Sequence, residues 1–281
     1  MTLLALGQSG QVARELAEVG VRCIGRAEAD LNDPLRCAAL IAASDATAVI
    51  NAAAYTAVDT AEEEEAQAHK INAEAPGAIA QLCAAKNIPF VQISTDYVFD
   101  GSGNQPRQPG DVTAPLGAYG RTKLAGEVAV RAAGGPHAIL RTSWVFSAHG
   151  SNFVKTMLRL GRDRDCLTIV ADQIGGPTPA RAIAAACVEI ANGLSRDPGL
   201  SGTYHFSGAP DVSWADFART IFDVAGITCT VEGIPSEDYP TPAKRPLNSR
   251  LDCASTQAAF GLHRPAWREG LHAVVKDLQS R

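Results

Sequence analysis

The stretch that decides the fold stands at the start of the chain and reads Thr2-Leu3-Leu4-Ala5-Leu6-Gly7-Gln8-Ser9-Gly10-Gln11-Val12-Ala13. It begins as an apolar run of strand length, and a helical pattern follows from Arg14 to Val19. In the turn between them, Gly7 allows a tight bend and Gly10 lets the main chain approach a pyrophosphate bound at the helix start. Ala13 takes the third position of this fingerprint. We predict a dinucleotide-binding turn with contacts from Gly7, Ser9, Gly10, Gln11 and Val12.

The end of the second apolar run, Val21 to Ile24, predicts which dinucleotide is bound. A site that prefers NAD usually has an acid here for the ribose 2'-hydroxyl, whereas this chain has Gly25-Arg26. Because an arginine pairs with a 2'-phosphate, we expect NADPH to be accepted, and NADH as well. An exposed loop arginine without a ligand is the alternative reading of Arg26. The remaining predicted cofactor contacts border the adenine or end the third strand in small residues: Asp30, Leu31, Ala52, Ala53 and Ala54.

Strand-like and helix-like segments alternate through the first half of the chain. Such alternation implies right-handed crossovers and a parallel sheet with helices on both faces, so the predicted class is α/β, a Rossmann-like doubly wound sheet. Ligands of such sheets bind at the carboxyl ends of the strands. Three further segments fall at predicted strand ends: 52–54, 94–96 and 142–144. The predicted strands cover 2–6, 21–25, 89–94, 138–144 and a run ending at Asn51, and the helices cover 14–19, 34–44, 59–86 and 118–132.

After Trp144 the segments become shorter and richer in proline and glycine. Ser213 is a predicted N-cap for a helix that runs to Ala225 and stops at Gly226. The proline-rich stretch 235–252 is interpreted as a loop that holds the substrate. We expect a smaller, discontinuous C-terminal substrate domain of residues 148–178 and 208–281, beside a cofactor domain of 1–147 and 179–207. Helices are predicted at 152–161, 180–192 and 267–278, and strands at 167–171 and, at the far edge of the sheet, 202–206.

Tyr119 and Lys123 stand four residues apart at the start of a predicted helix, just downstream of the hydroxyl-bearing segment 93–96. Residues at this spacing lie one above the other on a helix. An ammonium there favours the phenolate, so a tyrosine with a reference pKa of about 10 becomes usable as an acid near neutrality. Lowering that pKa by about 3 needs about 4 kcal/mol of differential stabilisation. The spacing by itself is a weak signal, and the surrounding pattern gives it weight.

Composition excludes several other classes of protein. A chain of 281 residues, 46% of them hydrophobic, can bury a large core, and its net charge of −5 without a basic cluster argues against a nucleic-acid surface. The seven cysteines are widely spaced and form neither a zinc pattern nor a dense disulfide framework, which favours a reducing cytoplasm. The chain enters its first strand almost at Met1 and has no long charge-free apolar run, so neither a signal peptide nor a membrane span is expected.

The chain resembles the dTDP-4-dehydrorhamnose reductases of the extended short-chain dehydrogenase/reductase superfamily. The resemblance spans nearly the whole chain, and the stretch 94–101 is far more specific than the Tyr and Lys spacing, which the whole superfamily shares. The motifs that carry it are Gly7-Gln8-Ser9-Gly10-Gln11-Val12, Asn51-Ala52-Ala53-Ala54-Tyr55-Thr56-Ala57-Val58-Asp59, Ser94-Thr95-Asp96-Tyr97-Val98-Phe99-Asp100-Gly101, Tyr119-Gly120-Arg121-Thr122-Lys123, Arg141-Thr142-Ser143-Trp144-Val145-Phe146, Asp172-Gln173-Ile174-Gly175-Gly176-Pro177-Thr178 and Arg245-Pro246-Leu247-Asn248-Ser249.

This resemblance implies that a hydride passes from the nicotinamide to C4 of a dTDP-bound 4-keto sugar while Tyr119 gives a proton to the carbonyl oxygen. Lys123 is expected to hold the cofactor ribose and to lower the pKa of Tyr119, and Thr95 to hydrogen-bond the keto oxygen. Ser94 is a further expected cofactor contact. Arg245 is the expected diphosphate partner because a guanidinium binds phosphate oxygens in a planar fork. The expected substrate contacts are Thr56, Val58, Thr95, Asp96, Tyr97, Trp144 and Arg245.

A bound metal is not expected. Some members of the family are described as dimers bridged by a divalent ion on glutamates, and Glu15 matches one such position. On the predicted helix 180–192, however, Glu189 is the sole acid and no acidic pair is present. A homodimer without metal remains open. The run Glu62 to Glu65 is interpreted as a solvated helix face.

Two alternatives share the fold. One is a nucleotide-sugar 4,6-dehydratase or epimerase, which keeps its NAD and returns the hydride. Dehydratases usually carry an acidic pair beside the position of Thr95, whereas this chain has a single acid, Asp96, in that place. The other is a non-catalytic protein like the regulatory subunit of methionine adenosyltransferase, against which the retained Thr95, Tyr119 and Lys123 argue.

Overall fold

A computed structural model describes residues 1–280 of the chain as an α/β fold. Short 3-10 turns at Thr60–Glu62, Asp96–Val98, Pro198–Leu200 and Ser236–Asp238 and a π-helical turn at Lys70–Glu74 join the main elements. The strands are β1 Leu3–Leu6, β2 Arg22–Ile24, β3 Ala48–Asn51, β4 Phe90–Thr95, β5 His137–Thr142, β6 Val145–Phe146, β7 Cys166–Val170, β8 Ile174–Gly175, β9 Thr178–Pro179, β10 Gly202–His205, β11 Val212–Ser213, β12 Thr230–Ile234 and β13 Asn248–Ser249. The helices are α1 Gln11–Glu18, α2 Pro34–Ala42, α3 Glu65–His69, α4 Ala75–Ala85, α5 Ala118–Ala133, α6 Phe153–Asp163, α7 Ala180–Arg196, α8 Trp214–Ala225, α9 Ala254–Phe260 and α10 Trp267–Ser280.

The centre of the molecule is a six-stranded sheet in the order β10-β5-β4-β3-β1-β2, and all its strand pairs are parallel. Its register pairs Leu6 with Asn51 and Thr95 with Thr142, so the carboxyl ends of β1, β3, β4 and β5 meet along one edge. Strand β10 lies at the far edge, as predicted from residues 202–206. The Rossmann-like class predicted from the alternating pattern is therefore confirmed.

Each face of the sheet is covered by its own helices because successive side chains of a strand point to opposite faces. Ala5 packs with α1 and α7, whereas its neighbours Leu4 and Leu6 pack with α2 and α4. All four residues of β3 are buried, which explains why such strands read as short apolar runs without alternation. The helical residues in these two cores include Leu16, Ile183, Cys187 and Ile190 on one face and Ile41, Ile79 and Val130 on the other.

A third apolar core lies outside the main sheet and is formed by α6, α8 and α10 with β7 and β12. The fully buried Trp267 and Phe217 meet edge to face at 5.2 Å between ring centroids. Helix α8 begins as predicted, because the Ser213 hydroxyl accepts from the Asp216 main chain at 3.0 Å, and it ends at Gly226 in the left-handed conformation.

Helices are present over 59–86, as predicted, and are interrupted by the π-helical turn Lys70–Glu74, next to Pro76, whose missing N–H and ring disrupt a regular helix. The structure corrects one predicted strand. The strand predicted at 138–144 ends at Thr142, because Trp144 takes a φ of 49° and leaves the extended conformation. Among residues 1–280, no helix is long and apolar enough to cross a membrane.

Candidate active site

The glycine turn after β1 leaves the start of α1 open. Gly7 has a φ of 116°, and a Cβ there would lie 3.3 Å from the Ala13 Cβ and 3.4 Å from the main chain of Ala52. Gly10 caps α1 without a side-chain hydrogen bond, and no atom lies within 4 Å of where its Cβ would be. The N–H groups at the start of α1 therefore face unfilled space, as an anion site requires.

The side chains of the turn divide between solvent and the protein interior. Ser9 is exposed, whereas Val12 is packed in the core between α1 and the sheet. The Gln11 amide donates to the Val145 carbonyl at 3.4 Å and accepts from Asn152 at 2.9 Å. Since the side chains of Gln11 and Val12 are committed to other segments, a dinucleotide could contact these two residues through their main chains.

Arg26 lies at one end of a cleft of about 660 Å³, whose lining residues are Arg26, Asn32, Tyr55, Glu64, Ala66, Gln67 and Ile71. Asp30 accepts from both the main chain and the side-chain amide of Asn32 at 3.0 Å, and Leu31 is buried beneath. Gln67 donates to Asn32 across the cleft. Sequence reasoning did not identify Asn32 or Gln67, because their pairing depends on two segments that are distant in the chain.

Lys123 is buried beneath the end of β4, where its ammonium donates to the Ile93 carbonyl at 2.7 Å. Burial lowers the pKa of Lys123 to about 8, opposed by the negative charge of Glu127 one turn further along α5. One of its three N–H donors is thus occupied by the protein, and two remain for other partners.

The Tyr119 hydroxyl lies within hydrogen-bonding reach of the Thr95 side chain, so the predicted juxtaposition of these two residues is present. Burial, together with the charge of Asp96, raises the pKa of Tyr119 to about 12. In the folded chain the pKa of Tyr119 is therefore raised, and the lowering expected from Lys123 is not observed. Burial and a neighbouring carboxylate, neither of which is visible in the four-residue spacing, keep the phenol protonated.

Asp96 is the most unusual acid of the site. Its Oδ1 accepts from the Thr95 hydroxyl at 3.1 Å, and its buried Oδ2 has no strong hydrogen-bond partner within residues 1–280. Burial raises the pKa of Asp96 to about 6, although hydrogen bonds from Ser249 and Thr95 lower it. An incompletely satisfied buried carboxylate beside a protonated phenol is typical of a functional site and not of a structural core.

Arg245, which belongs to the distant C-terminal segment, lies near Tyr97 in the candidate site. Its guanidinium forms a fork on Asp59, with Nη1–Oδ1 at 3.2 Å and Nη2–Oδ2 at 2.9 Å, and Asp59 also accepts from the Ala243 main chain at 3.1 Å. Tyr97 is close enough for its charge state to interact with Arg245, and its ring packs edge to face on Tyr119 at 5.5 Å. Asp59, which ends one of the quoted motifs, was missing from the predicted site.

The other expected substrate residues surround this group. Thr56 is exposed and Val58 is half-buried on the loop after β3. Ser249, which bonds Asp96, lies against Gly175, and a Cβ on Gly175 would lie 2.9 Å from both Ser249 and the Trp144 indole. A continuous chain of contacts thus runs from Tyr119 to Trp144.

The Ser94 side chain points toward helix α5. Its hydroxyl donates to the fully buried Glu127 at 2.6 Å, and Glu127 also accepts from Arg141 at 2.9 and 2.7 Å. The structure therefore gives the Ser94 hydroxyl a role in joining β4 to α5. Sequence reasoning missed Glu127 because a single glutamate in a helix carries no distinguishing pattern.

The glutamate run is largely exposed, as predicted for a solvated face, but three of its carboxylates also have partners. Glu62 accepts from the Ala118 main chain at 2.8 Å at the start of α5, Glu64 accepts from the Tyr55 hydroxyl at 2.7 Å, and Glu65 pairs with Arg121 at 2.8 Å. These carboxylates tie the segment after β3 to the helix that carries Tyr119.

No group of three or more His, Cys, Asp and Glu side chains suited to a metal is found within the described residues 1–280. Glu15 is buried and accepts from the Ser147 hydroxyl at 2.8 Å, and Glu189 is exposed.

Comparison with known proteins gives the family. The family described as "RmlD substrate binding domain" matches residues 1–280. A dTDP-4-dehydrorhamnose reductase of Sinorhizobium fredii is 41% identical over 98% of this chain and 97% of its own length, and that of Escherichia coli K12 is 37% identical over 99% and 98%.

Solved structures agree. The reductase of Clostridium acetobutylicum superposes with a TM-score of 0.91 at 36% identity, covering 99% of this chain and 100% of its own. The Bacillus anthracis reductase, solved in complex with NADP, gives 0.90 at 32% identity and covers 98% of each chain. A UDP-glucose 4-epimerase at 15% identity, with a TM-score of 0.82, shares the fold alone. The chain belongs to the dTDP-4-dehydrorhamnose reductase family.

Proposed function

We propose that this member of the dTDP-4-dehydrorhamnose reductase family uses NADPH to reduce the C4 keto group of dTDP-4-dehydro-L-rhamnose, giving dTDP-L-rhamnose. The observation that carries the proposal is the group of Thr95, Tyr119 and Lys123 at the carboxyl end of β4, in a chain that matches the family over residues 1–280. An epimerase or dehydratase would use the same fold, but the relatives near 40% identity are reductases.

The residues around the glycine turn fit a dinucleotide. The tight turn at Gly7, which packs against Ala13 and Ala52, and the open space beside Gly10 at the start of α1 suit a pyrophosphate held by main-chain N–H groups of residues 9–12. Ala52, Ala53 and Ala54 would border the cofactor, Asp30 and Leu31 its adenine, and Arg26 its 2'-phosphate. The cofactor supplies the hydride when bound. We accordingly divide the chain into a cofactor-binding domain, residues 1–147 and 179–207, and a substrate domain, residues 148–178 and 208–281.

Tyr119 is the proposed proton donor. With a pKa of about 12 its phenol is fully protonated at neutral pH, which a donor must be before turnover. Lys123 would use its two remaining N–H donors for the cofactor ribose and for charge stabilisation of the phenolate as the proton leaves. Thr95 would hydrogen-bond the keto oxygen, which directs the carbonyl toward Tyr119.

The substrate would lie on the side of Tyr119 that faces Asp96, Tyr97 and Trp144, with Thr56 and Val58 at the loop after β3. Arg245 would bind the diphosphate. Its fork on Asp59 presents the guanidinium in a fixed orientation, and the guanidinium has five N–H donors, more than Asp59 uses.

The direct test is oxidation of NADPH by the purified protein with dTDP-4-dehydro-L-rhamnose as the acceptor. We expect stoichiometric loss of NADPH absorbance and formation of dTDP-L-rhamnose. Tight NADPH binding without turnover would instead indicate a non-catalytic member, and conversion of the sugar without loss of NADPH would indicate an epimerase or dehydratase.

Replacing Arg26 by alanine should raise the KM for NADPH about tenfold, because a charge-assisted phosphate contact contributes about 1.5 kcal/mol. The KM for NADH, which lacks the 2'-phosphate, should stay unchanged and serves as the internal control. Equal changes for the two cofactors would show that Arg26 does not contact the 2'-phosphate.

Replacing Arg245 by alanine should lower kcat/KM for the nucleotide sugar about thirtyfold, which corresponds to about 2 kcal/mol for hydrogen bonds to a charged group. The Kd for NADPH should not change, because the segment that holds Arg245 lies outside the proposed cofactor half. The matched control is Arg219→Ala, which removes a surface pair with Asp216 on α8 and should leave both constants unaltered. Loss of NADPH binding in Arg245→Ala would contradict the division of the chain.

A further inference from the structure

The backbone at Trp144 is in a conformation that few large residues adopt. Its φ of 49° lies in the left-handed region, which Asn tolerates and a bulky aromatic residue does not favour. Such a conformation is strained and persists when the surroundings hold it. The contacts around Trp144 therefore indicate what maintains it.

Part of the restraint comes from the crossing segment 174–178. The Trp144 carbonyl accepts from the Thr178 main chain at 3.1 Å, and the Ser143 hydroxyl donates to the Gly176 carbonyl at 2.9 Å. Gly175 packs so closely on the edge of the Trp144 indole that any Cβ would lie 2.9 Å from it. These contacts fix the backbone and one edge of the ring, but neither of its faces.

One face of the Trp144 indole is covered by Trp214. The two rings are stacked with centroids 3.6 Å apart and planes 11° from parallel. Trp214 is the first residue of α8, immediately after the capping residue Ser213, so its backbone is fixed by the helix start. Phe153 packs against Trp214 at 4.6 Å and stacks on Phe217 at 5.6 Å, which anchors the pair to the third core.

Trp144 is half-buried, so part of the residue remains accessible to a ligand beside its stack on Trp214. Through Gly175 and Ser249 the Trp144 indole is in contact with the segment that holds Asp96, and Asp96 lies beside Tyr119. A flat apolar ring linked to the acid by these contacts suits the C–H face and the methyl group of a deoxyhexose, while Tyr119 donates to its carbonyl.

We propose that Trp214 is a positioning residue: by stacking on Trp144 it holds that indole, in its strained backbone conformation, as the wall against which the sugar ring is aligned. This inference rests on the proposed reduction of a nucleotide-linked deoxysugar. Without the stack, Trp144 relaxes toward an unstrained conformation, and the carbonyl loses its alignment with Tyr119. Small misplacements of this kind lower the rate as well as the affinity.

The test compares Trp214→Leu with Trp214→Phe, which keeps an aromatic ring. For the leucine variant we expect kcat/KM for dTDP-4-dehydro-L-rhamnose to fall on the order of thirtyfold, with kcat and KM both affected and the Kd for NADPH unchanged. The phenylalanine variant should recover most of the loss and differ from wild type by about threefold. Unaltered kcat/KM in the folded leucine variant, or a phenylalanine variant as impaired as the leucine variant, would overturn the proposal.

A spectroscopic measurement tests the stack itself. Two indoles 3.6 Å apart couple their transitions and give a couplet in the circular dichroism spectrum. The couplet should be present in the wild type and absent in both Trp144→Phe and Trp214→Phe, while helical content is retained. A wild-type spectrum that neither substitution changes would overturn the proposal. Failure of the proposed function has a different signature, a normal couplet in a protein that does not reduce the sugar.

Discussion

Replacing Tyr119 by phenylalanine should lower kcat on the order of a hundredfold or more and leave the Kd for NADPH nearly intact. The ring keeps its edge-to-face contact with Tyr97 at 5.5 Å, so packing changes little, whereas the proton donor is removed. Loss of a positioned general acid typically reduces the rate by a factor of about 10² to 10⁴. The measurement is steady-state reduction of dTDP-4-dehydro-L-rhamnose together with a titration of NADPH.

The matched control is Tyr204→Phe. Tyr204 lies on the edge strand β10, where its hydroxyl donates to the Leu200 carbonyl at 2.7 Å, away from the end of β4. The Tyr204→Phe substitution also removes one phenol hydroxyl, but at a site away from the proposed chemistry. Its kcat should therefore stay at the wild-type value. A Tyr119→Phe variant with near-normal kcat would remove Tyr119 from its role as the acid.

Replacing Lys123 by methionine should weaken NADPH binding and also lower kcat, each on the order of tenfold or more, because the same ammonium serves the ribose and the phenolate. Methionine fills similar space in the buried site without a charge. The control is Lys86→Met. In the wild type the Lys86 ammonium donates at 3.3 Å to the carbonyls of Ile41, Ala42 and Ser44, at the end of α2. Unchanged NADPH affinity in Lys123→Met would exclude the double role.

The pH dependence of cofactor binding gives Lys123 a distinct signature. Burial lowers its pKa to about 8 in the folded protein, so the ammonium is charged below that pH and loses its proton as the pH rises through it. NADPH affinity of the wild type should therefore fall above about pH 8. In Lys123→Met this alkaline loss should be absent, and a retained loss would assign it to another group.

The main sheet could be predicted from the sequence because its signals are local. The apolar run before Gly7, the small residues after Asn51 and the cap at Ser213 each act within a few residues of the chain, and each element formed where it was expected. Parallel strands then bring their carboxyl ends to one edge, which is why the glycine turn and the segments 52–54, 94–96 and 142–144 could be grouped from the sequence.

Contacts between distant segments could not be predicted in this way. Asp59 and Arg245 lie 186 residues apart, and no local pattern joins them. No local pattern indicates that the Ser94 hydroxyl donates to Glu127, or that glutamates after β3 bind partners on α5. The pKa of Tyr119 likewise depends on burial and on Asp96, which are properties of the folded chain.

The most direct measurement uses NADPH carrying deuterium at the transferable position of its nicotinamide. If the chain reduces the sugar by direct transfer, the product dTDP-L-rhamnose should carry one deuterium at C4, detected by mass spectrometry and NMR, with one NADPH oxidised for each sugar reduced. Tyr119→Phe should form the same labelled product far more slowly. A product without deuterium at C4, or a sugar converted while NADPH remains unoxidised, would contradict the assignment of this protein as a reductase.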